Sequence, residues 1–521
     1  MEAKNHNIFE NSKDNILCYS DNESEDFEDS YPIGLDIGTK YCRIGVYRNG
    51  GVEMIPNKNG EVNTPSFITI LNENEILKGE DSIDYFLNNS NNTIYDIKKF
   101  IEINFNNNKK EKKKLNDFPF EIIKDKNIGI FIIIKKNNKT IQFTLEEILS
   151  FLIRKMVDNA EDYLNIKINK LVISVPFYFD ASQINYFKKA ADLAGISIYK
   201  IIYEPISAAL FYENEREKKI KYNEDKNKNL EEKKILIFDF GGTSLNIFIL
   251  KVNPEIEIKE IERKDEKKFK ILISKSNKLL GGDFIDIKLA EYFLSRFCRK
   301  FNIIGKTVKK EKNLFKKLII SCENIKRVLS SNDETTLYIH NFYEEKDIFE
   351  KITRKELEDI CNDLFQNLES FIKETLAEAN FNKNEIDEII LAGGSSKIPK
   401  VKNILEEFFN IKNSKQDHIK IYDSIDPEQI IAYGTTLASK FLFQKMNNSI
   451  DFNLTYTFPL SLGINIENNS KDPEIRKKGD LMRIIFKRGT KIPNLPFCKR
   501  MDYYTIEDNQ EDLGRKKKSK K

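Results

Sequence analysis

The chain has 521 residues, enough for about three to four domains with a large buried core. Its 85 Lys and Arg residues nearly balance 82 Asp and Glu residues, so the net charge of +3 excludes an overall electrostatic attraction to nucleic acid or acidic surfaces. Hydrophobic residues make up 40% and charged residues 32%, which is typical of a globular protein rather than a disordered chain.

The N-terminal region and the cysteines indicate neither export nor a metal cluster. Residues 1–30 contain nine acidic and two basic side chains and are expected to form an acidic disordered tail. The polar first residues predict no secretory signal, and the longest apolar run, Ile128–Ile134, is too short to span a bilayer. Six cysteines without a C-x-x-C pair favour reduced thiols in a cytoplasmic or nuclear protein.

Short strands rich in Ile, Val and Phe alternate with amphipathic helices along the chain, and this alternation favours an α/β fold. The predicted strands are Ile33–Asp36, Leu171–Val175, Ile235–Phe240 and Ile389–Leu391. The predicted helices are Leu145–Leu164, Ser182–Ala194, Phe284–Lys300, Leu314–Leu329 and Lys355–Ala379. The stretches rich in Asn and Lys are interpreted as surface loops, at 88–92, 106–114 and 214–234.

One pattern occurs twice in the sequence. A run of β-forming residues that ends in Asp is followed by a Gly-Thr turn at 33–39 and by a Gly-Gly-Thr turn at 235–244. The repeat predicts two similar lobes that face a shared cleft. Asp36 and Asp239 would each lie near the end of a strand, and the turns after them can present backbone amides to an anion.

Two further motifs extend this interpretation. A third strand leads into paired glycines at 392–396, and the helix SCENIKRVLS places Glu323, Lys326, Arg327 and Ser330 on one face. Each motif alone is also compatible with an ordinary turn or a solvated helix face. Together, in this order, they predict a nucleotide site in which carboxylates organise Mg²⁺ through its waters.

The ordered motifs resemble the nucleotide-binding domain of the seventy-kilodalton heat-shock chaperones of the DnaK type, within the actin-like ATPase superfamily. The similarity covers about residues 33–463 and includes IGLDIGTKYCRIGVY, YDIKKFI, IFDFGGTS, LLGGDFIDIKLAEYF, CENIKRVLSS, LAGGSSKIPKV, DPEQIIAYG and PLSLGI. The resemblance implies a two-lobed α/β domain at 31–446 and a linker at 447–458. After these it implies a truncated substrate-binding β segment at 459–512 and a basic tail at 513–521.

The resemblance also implies roles for single residues in binding ATP or ADP with Mg²⁺, and it leaves K⁺ open as a further cofactor. Asp36 and Asp239 would hold the waters of the metal, while Lys98 and Glu204 would act beside the γ-phosphate and the attacking water. The residues expected at the phosphates are Gly38, Thr39, Lys40, Gly241, Gly242, Thr243 and Ser244. The residues expected at the ribose and base are Glu323, Lys326, Arg327, Ser330, Gly393, Gly394, Ser395 and Lys397.

Several residues depart from the family pattern and predict slow turnover. The pattern has Thr at Lys40, Gly at Thr243, Thr at Ser244, Asp at Asn246 and Arg at Lys397. A β-branched side chain thus replaces a flexible glycine at Thr243, and Asn246 removes a negative charge beside the expected cation. We therefore expect an ATP-binding, chaperone-type protein that assists protein folding and hydrolyses ATP slowly.

Other functions stay open. The GGTSL-type loop is similar to the atypical ribosome-associated branch, which acts with a J-domain partner. Thr243, Asn246, the truncated β segment and a linker, IDFNLTYTF at 450–458, that departs from the family pattern favour a non-hydrolysing or weakly hydrolysing scaffold on the ribosome or with a J-domain partner. A sugar or glycerol kinase of the same superfamily shares the paired turns, but DPEQIIAYG and PLSLG argue against it. The basic residues 515–521 fit an arm for RNA, for the ribosome or for nuclear import, and they equally fit a solubilising tail.

The resemblance implies three kinds of protein partner. These are a J-domain co-chaperone, a nucleotide-exchange factor and unfolded or nascent polypeptide, with the ribosome as a further candidate. Neither a membrane nor a specific nucleic-acid sequence is expected as a partner. We expect the protein in the cytoplasm, with the nucleus as the alternative compartment.

Overall fold

The structure, a computed structural model, describes residues 31–72, 74–88, 92–102, 118, 120–125, 129–136, 139–222, 232–253, 269–411, 419–422 and 424–443, and the backbone of 462–466 and 481–486. The expected acidic tail, linker and basic tail lie outside these residues, as does most of the segment 459–512. The chain divides into two compact units, Met1–Tyr31 and Pro32–Lys521, and the elements below belong to the second.

The first lobe combines a main sheet with two small sheets and several helices. Its strands are β1 (Ile33–Ile37), β2 (Tyr41–Arg48), β3 (Gly51–Met54), β4 (Thr64–Pro65), β5 (Ile68–Ile70), β6 (Ile76–Lys78), β7 (Thr93–Ile94), β8 (Glu121–Asp125), β9 (Gly129–Lys136), β10 (Lys139–Thr144), β11 (Lys170–Val175) and β12 (Ser197–Tyr203). Its helices are α1 (Glu80–Asn88), α2 (Ile97–Glu102), α3 (Leu145–Leu164) and α4 (Ala181–Leu193). One apolar core joins the main sheet to α3 and α4.

Helix α5 (Glu204–Tyr222) leads to the second lobe. The strands there are β13 (Lys233–Phe240), β14 (Leu245–Val252), β15 (Phe269–Asn277), β16 (Glu334–Tyr343), β17 (Lys346–Thr353), β18 (Glu388–Ala392) and β19 (Lys420–Tyr422). The helices are α6 (Gly282–Phe301), α7 (Gly305–Lys310), α8 (Lys312–Ser331), α9 (Arg354–Ile360), α10 (Asn362–Glu378) and α11 (Pro399–Phe408), with 3-10 turns at Lys383–Glu385 and Gly394–Lys397. Helix α12 (Ile430–Phe443) then packs on β1 and β2.

The main sheets of the two lobes have the same topology. The strand order is β12-β11-β1-β2-β3 in the first lobe, with β4 also paired to β2, and β19-β18-β13-β14-β15 in the second. In each sheet a central strand pairs in parallel with a later strand and forms an antiparallel hairpin with the next one. This duplication confirms the two similar lobes that the repeated Asp-Gly-Thr pattern predicts. The remaining pair, β20 (Leu462–Ile466) and β21 (Leu481–Phe486), is antiparallel.

Helices α5 and α12 cross closely between the lobes. A Cβ atom on Gly434 of α12 would lie 1.8 Å from the carbonyl oxygen of Ser207 in α5, so the crossing requires a residue without a side chain. A third apolar core packs both helices against β13, β14 and β18. These contacts hold the two central hairpins on opposite sides of one cleft.

Some predicted boundaries agree with the structure and others do not. Helix α3 has the predicted bounds, and its N-terminus is a capping box in which Thr144 and Glu147 satisfy each other's backbone amides. The predicted helix Lys355–Ala379 is divided at Cys361, which has φ −104° and ψ 14°. The amide of Cys361 still donates to the oxygen of Leu357, so the helical periodicity continues across the break and conceals it.

The interpretation of 214–234 as a loop is wrong at both ends of that stretch. Residues 214–222 continue α5, and β13 begins at Lys233. Asn214 and Lys218 donate hydrogen bonds to the Tyr433 hydroxyl of α12, at 3.3 and 3.2 Å, so tertiary contacts stabilise a polar segment with little apolar patterning. Residues 223–231 lie outside the described part of the chain.

The described cysteines agree with the expectation of reduced thiols. The cysteines within the described residues are free and buried, at Cys42, Cys298, Cys322 and Cys361. Within the same residues, no helix combines the length and the apolar character needed to cross a bilayer.

Candidate functional site

The turns of the two central hairpins face each other across the cleft. The first joins β1 to β2, where the amide of Gly38 donates to the oxygen of Tyr41 at 3.1 Å. The second joins β13 to β14 and is closed in the same way, from Gly241 to Ser244 at 3.0 Å. The hydroxyl oxygens of Thr39 and Thr243 lie 3.5 Å apart across the gap. The two predicted phosphate loops therefore form opposite walls of one site.

A third turn closes the cleft beside the second hairpin. It follows β18, and Gly393 has a φ of +78°, a conformation that favours glycine. A Cβ atom at Gly393 would lie 2.5 Å from the carbonyl oxygen of Phe240. The hydroxyl of Ser395 donates to the carbonyl oxygen of Gly241 at 2.9 Å, which fixes this turn to the second phosphate loop.

Each hairpin carries one carboxylate near the base of the cleft. Asp36 is buried and accepts a hydrogen bond from Ser174 at 2.9 Å. Asp239 accepts one from the amide of Asn246 at 3.1 Å. Loss of solvent raises the pKa of Asp239. The hydrogen bond from Asn246 and the charge of Lys98 oppose that rise, and the charge of Asp36 adds to it. The two strand ends thus bring negative charge together where a cation would stabilise it.

Lys98 and Glu204 form a buried ion pair beside these carboxylates. The ammonium of Lys98 lies 2.7 Å from Oε1 of Glu204, and the two residues are 7% and 8% exposed. Burial raises the pKa of Glu204 to about 7, against the lowering effect of Lys98 and with added contributions from Asp239 and Asp36. Lys98 is therefore not the solvated surface lysine that its Lys-Lys sequence context would suggest.

The donor set of the cleft fits a hydrated divalent cation. Asp36, Glu204 and Asp239 line one cleft and supply the hard oxygen atoms that Mg²⁺ prefers. Within the described residues, no group of three acidic, His or Cys side chains is arranged to hold an ion directly. Because Mg²⁺ usually keeps several of its waters, these residues fit a metal held through water.

Most of the predicted site residues line this cleft, and two do not. The exceptions are Ser330 and Lys397. Ser330 donates to the backbone oxygen of Lys326 at 2.9 Å, and Lys397 pairs with Asp426 at 2.9 Å with 41% of its side chain exposed. The side chains beside Arg327 are Tyr41, whose ring centre is 5.0 Å from the guanidinium carbon, and Glu428, at 2.8 Å.

Lys40 crosses the cleft from the first phosphate loop to the second lobe. Its ammonium lies 3.0 Å from Oδ1 of Asp283 and 3.6 Å from Oε2 of Glu323. Lys99 lies 2.7 Å from the other oxygen of Asp283. Although burial opposes the shift, Lys40 and Lys99 hold the pKa of Asp283 well below its usual range. This buried network links the two lobes through ion pairs.

Sequence reasoning missed several residues that line the cleft. Asp283 and Asp286 lie in LLGGDFID, and Glu428 lies in DPEQIIAYG, so the motifs were visible but the roles of these carboxylates were not. Burial raises the pKa of Asp286 to about 6, although Lys326 at 2.7 Å opposes that shift. Arg43 was also missed, although its separation from Asp36 predicts that they face each other in a hairpin.

The comparisons with known proteins agree with this geometry. A family profile described as Hsp70 protein matches residues 32–484. Heat shock 70 kDa protein 2 of Paracoccidioides lutzii is 32% identical over 482 residues, which cover 92% of this chain and 66% of that relative. Heat shock 70 kDa protein of Ajellomyces capsulatus is 32% identical over the same length, and this chain covers 61% of it.

The chain therefore spans 66% and 61% of the lengths of these two relatives. The family match includes both hairpin turns, the ion pair of Lys98 with Glu204 and the third glycine turn. These features lie in one α/β unit whose sheets repeat the same topology. The chain belongs to the Hsp70 family.

Proposed function

We propose that this chain binds ATP or ADP with Mg²⁺ between its lobes and hydrolyses ATP slowly as part of a chaperone cycle that assists protein folding. The observation that carries the proposal is the meeting of two Asp-led turns, with Thr39 and Thr243 3.5 Å apart. Membership of the Hsp70 family, whose members are generally ATPases, supports it. The same membership argues against a polyol kinase.

The residues of the cleft suggest how the reaction would be divided among them. Asp36 and Asp239 would hold Mg²⁺ through water, and the bound ion would supply positive charge that neutralises the phosphates. The amides of Thr39 and Gly242 would orient the phosphate oxygens. Lys98, held by Glu204, would add charge at the transferring phosphate, and Glu204 in its ionised form would accept a proton from water.

Two features of the cleft favour slow hydrolysis. Lys40 is engaged with Asp283 and Glu323, so its charge reaches a phosphate only if these pairs separate. Thr243 places a β-branched side chain in the second turn, where a glycine would let a phosphate approach the backbone more closely. Both features reduce the positive charge and the space that the loops offer to the transition state.

A weakly hydrolysing scaffold that works with a J-domain partner, on the ribosome, is a second candidate. The interlobe ion pairs favour it, because Lys40 with Asp283, and Lys316 with Asp96 at 3.4 Å, join the lobes through protein carboxylates. Such pairs would keep the lobes together whether or not a nucleotide is hydrolysed. Rapid hydrolysis that a J-domain protein stimulates in single-turnover assays would contradict this candidate.

The proposal extends to partners, cations and compartment. We propose a J-domain co-chaperone, a nucleotide-exchange factor and unfolded or nascent polypeptide as partners, in the cytoplasm. K⁺ joins the proposal as a second cation of the cleft, to be tested by exchanging K⁺ for Na⁺ during nucleotide titration. Co-purification of tagged chain from cytosol, with and without ATP, tests the protein partners.

The test of the main proposal separates binding from chemistry. Isothermal titration with ATP and Mg²⁺ is followed by single-turnover hydrolysis on the wild type, Lys98→Ala and Lys373→Ala. Lys98→Ala is expected to lower the rate by roughly 100-fold, as when one transition-state donor is lost. Lys373 is 61% exposed in an ion pair with Glu369, so its variant is the matched control. An unchanged rate in Lys98→Ala would remove the catalytic assignment.

A further inference from the structure

Arg43 gives the first hairpin a charge that the second hairpin does not have at the matching place. Arg43 lies directly opposite Asp36 in the β1–β2 register, and Asn246 lies directly opposite Asp239 in the β13–β14 register. Arg43 is 8% exposed and lines the cleft. The first hairpin therefore carries a guanidinium where the second has a neutral amide.

The guanidinium of Arg43 makes one short hydrogen bond and two longer ion pairs. Its Nε donates to Oδ1 of Asn63 at 2.6 Å. Its Nη1 lies 3.9 Å from Oδ2 of Asp36, and its Nη2 lies 3.5 Å from Oε2 of Glu428. At these distances the nitrogen and oxygen atoms form ion pairs but are too far apart for strong hydrogen bonds. Asn63 therefore orients a charged side chain that lines the cleft and whose terminal nitrogens make only these longer ion pairs.

The charges at the base of the cleft indicate a role for the Arg43 guanidinium. Of the three carboxylates there, Glu204 is paired with Lys98 and Asp36 with Arg43. Asp239 also feels the charge of Lys98, but its cross-strand partner, Asn246, is neutral. Without a divalent cation, phosphates would be repelled by each carboxylate that is not neutralised. Arg43 offsets that repulsion at Asp36, and a divalent cation would have to share Asp36 with the guanidinium.

We propose that Arg43 is a built-in cation of the phosphate site, which makes nucleotide binding partly independent of Mg²⁺ and weakens binding of the metal. Arg43 can have this role only if the cleft binds nucleotide as proposed above. A residue that merely stabilised the fold would weaken binding to the same degree with and without Mg²⁺. A built-in cation supports ADP binding more strongly without Mg²⁺ than with it, because it attracts phosphate and competes with the metal.

The experiment titrates the full chain with ADP, once in EDTA and once in Mg²⁺. Arg43→Gln is expected to lose about tenfold in ADP affinity in EDTA, as for one charged contact, and about threefold or less in Mg²⁺. Titration of Mg²⁺ into the ADP complex is expected to show tighter metal binding in this variant. Arg48→Gln is the matched control, because Arg48 is on the same strand but pairs with Glu53.

A second variant tests the same idea by adding the charge to the other hairpin. Asn246→Lys places a cation opposite Asp239 and is expected to raise ADP affinity in EDTA relative to Mg²⁺. If Arg43→Gln does not fold, this increase in ADP affinity is the result that tests the effect of a built-in cation. If the ratio of ADP affinities in EDTA and Mg²⁺ is unchanged in the folded variants, the role of Arg43 is overturned while the proposed function stands. If wild type binds ADP in neither condition, both are overturned.

Discussion

The hairpins β1–β2 and β13–β14 have the same topology and different charges. Both pair with a later parallel strand, and both carry an aspartate near the end of the first strand. The first hairpin places Lys40 in its turn and Arg43 opposite Asp36, whereas the second has Thr243 in its turn and Asn246 opposite Asp239. The duplicated fold therefore provides the site geometry twice but provides the fixed positive charge once.

The two hairpins therefore bring different charges to the cleft. Lys40 and Arg43 of the first lobe form ion pairs with Asp283 and Glu428, which lie beyond the first-lobe sheet in the sequence. In the second hairpin the cross-strand partner of Asp239 is a neutral amide, so no cation of its own hairpin faces that carboxylate. Substitutions that give one hairpin a residue of the other, or that remove its aspartate, test directly whether this difference in charge matters.

The largest expected effect comes from removing one aspartate at a time. Asp239→Asn is expected to lower single-turnover hydrolysis of ATP with Mg²⁺ by roughly 100-fold. Asp36→Asn is expected to lower the rate roughly tenfold, because Arg43, 3.9 Å from Asp36, already offsets part of the charge of Asp36. Equal losses in the two variants would show that the difference in cross-strand partners has no effect on the reaction.

The pH dependence of hydrolysis compares the hairpins through Glu204, which both aspartates influence. Its pKa is raised to about 7, so the side chain is mostly protonated at about pH 6 and mostly ionised at about pH 8. If ionised Glu204 accepts the proton, the rate rises roughly tenfold per pH unit below the pKa and levels above it. Glu204→Gln is expected to give a low, flat profile.

The pH midpoint of this profile also distinguishes the effects of the two aspartates on the pKa of Glu204. Asp239 raises the pKa of Glu204 more than Asp36 does, so Asp239→Asn is expected to move the midpoint lower than Asp36→Asn does. The pH profiles of both variants are measured in single-turnover assays at saturating nucleotide, so that even a low rate of hydrolysis can be followed. A wild-type rate that falls as the pH rises would contradict the proposed role of Glu204.

A smaller effect is expected from making the first turn resemble the second. Lys40→Thr removes the interlobe pairs with Asp283 and Glu323, although Lys99 and Tyr41 remain beside these carboxylates. The free energy of unfolding without nucleotide is expected to fall by about 1–3 kcal/mol, measured by urea denaturation. Lys373→Thr serves as an exposed control. Equal stability of the two variants would mean that Lys40 does not join the lobes.

The smallest effect concerns the base end of the cleft. Lys397→Ala is expected to change ADP affinity by about twofold or less, since its exposed pair with Asp426 lies outside the cleft. Arg327→Ala is expected to weaken binding about tenfold, because it removes a charged side chain that lines the cleft. If the Lys397 variant lost as much affinity as the Arg327 variant, the result would favour the placement of Lys397 at the ribose and base that the family resemblance implies.

The local features of this chain could be predicted from its sequence. Helix α3 has the predicted bounds because its cap, its periodicity and its length all depend on neighbouring residues. The predicted strands and the repeated Asp-Gly-Thr turns are correct for the same reason, since a turn is specified by residues adjacent in the chain. The ordered motifs also identified most of the residues that line the cleft.

The contacts between charges could be decided only by the tertiary structure. The partners of Lys40 are Asp283 and Glu323, more than 240 positions away, and no local pattern shows which carboxylate a lysine will meet. The polar end of α5 is helical because it contacts Tyr433, and Lys397 lies outside the cleft because it pairs with Asp426. Local sequence thus determined the strands, turns and helices, whereas packing of the lobes determined which side chains share the cleft, because burial and distance set the strength of electrostatic interactions.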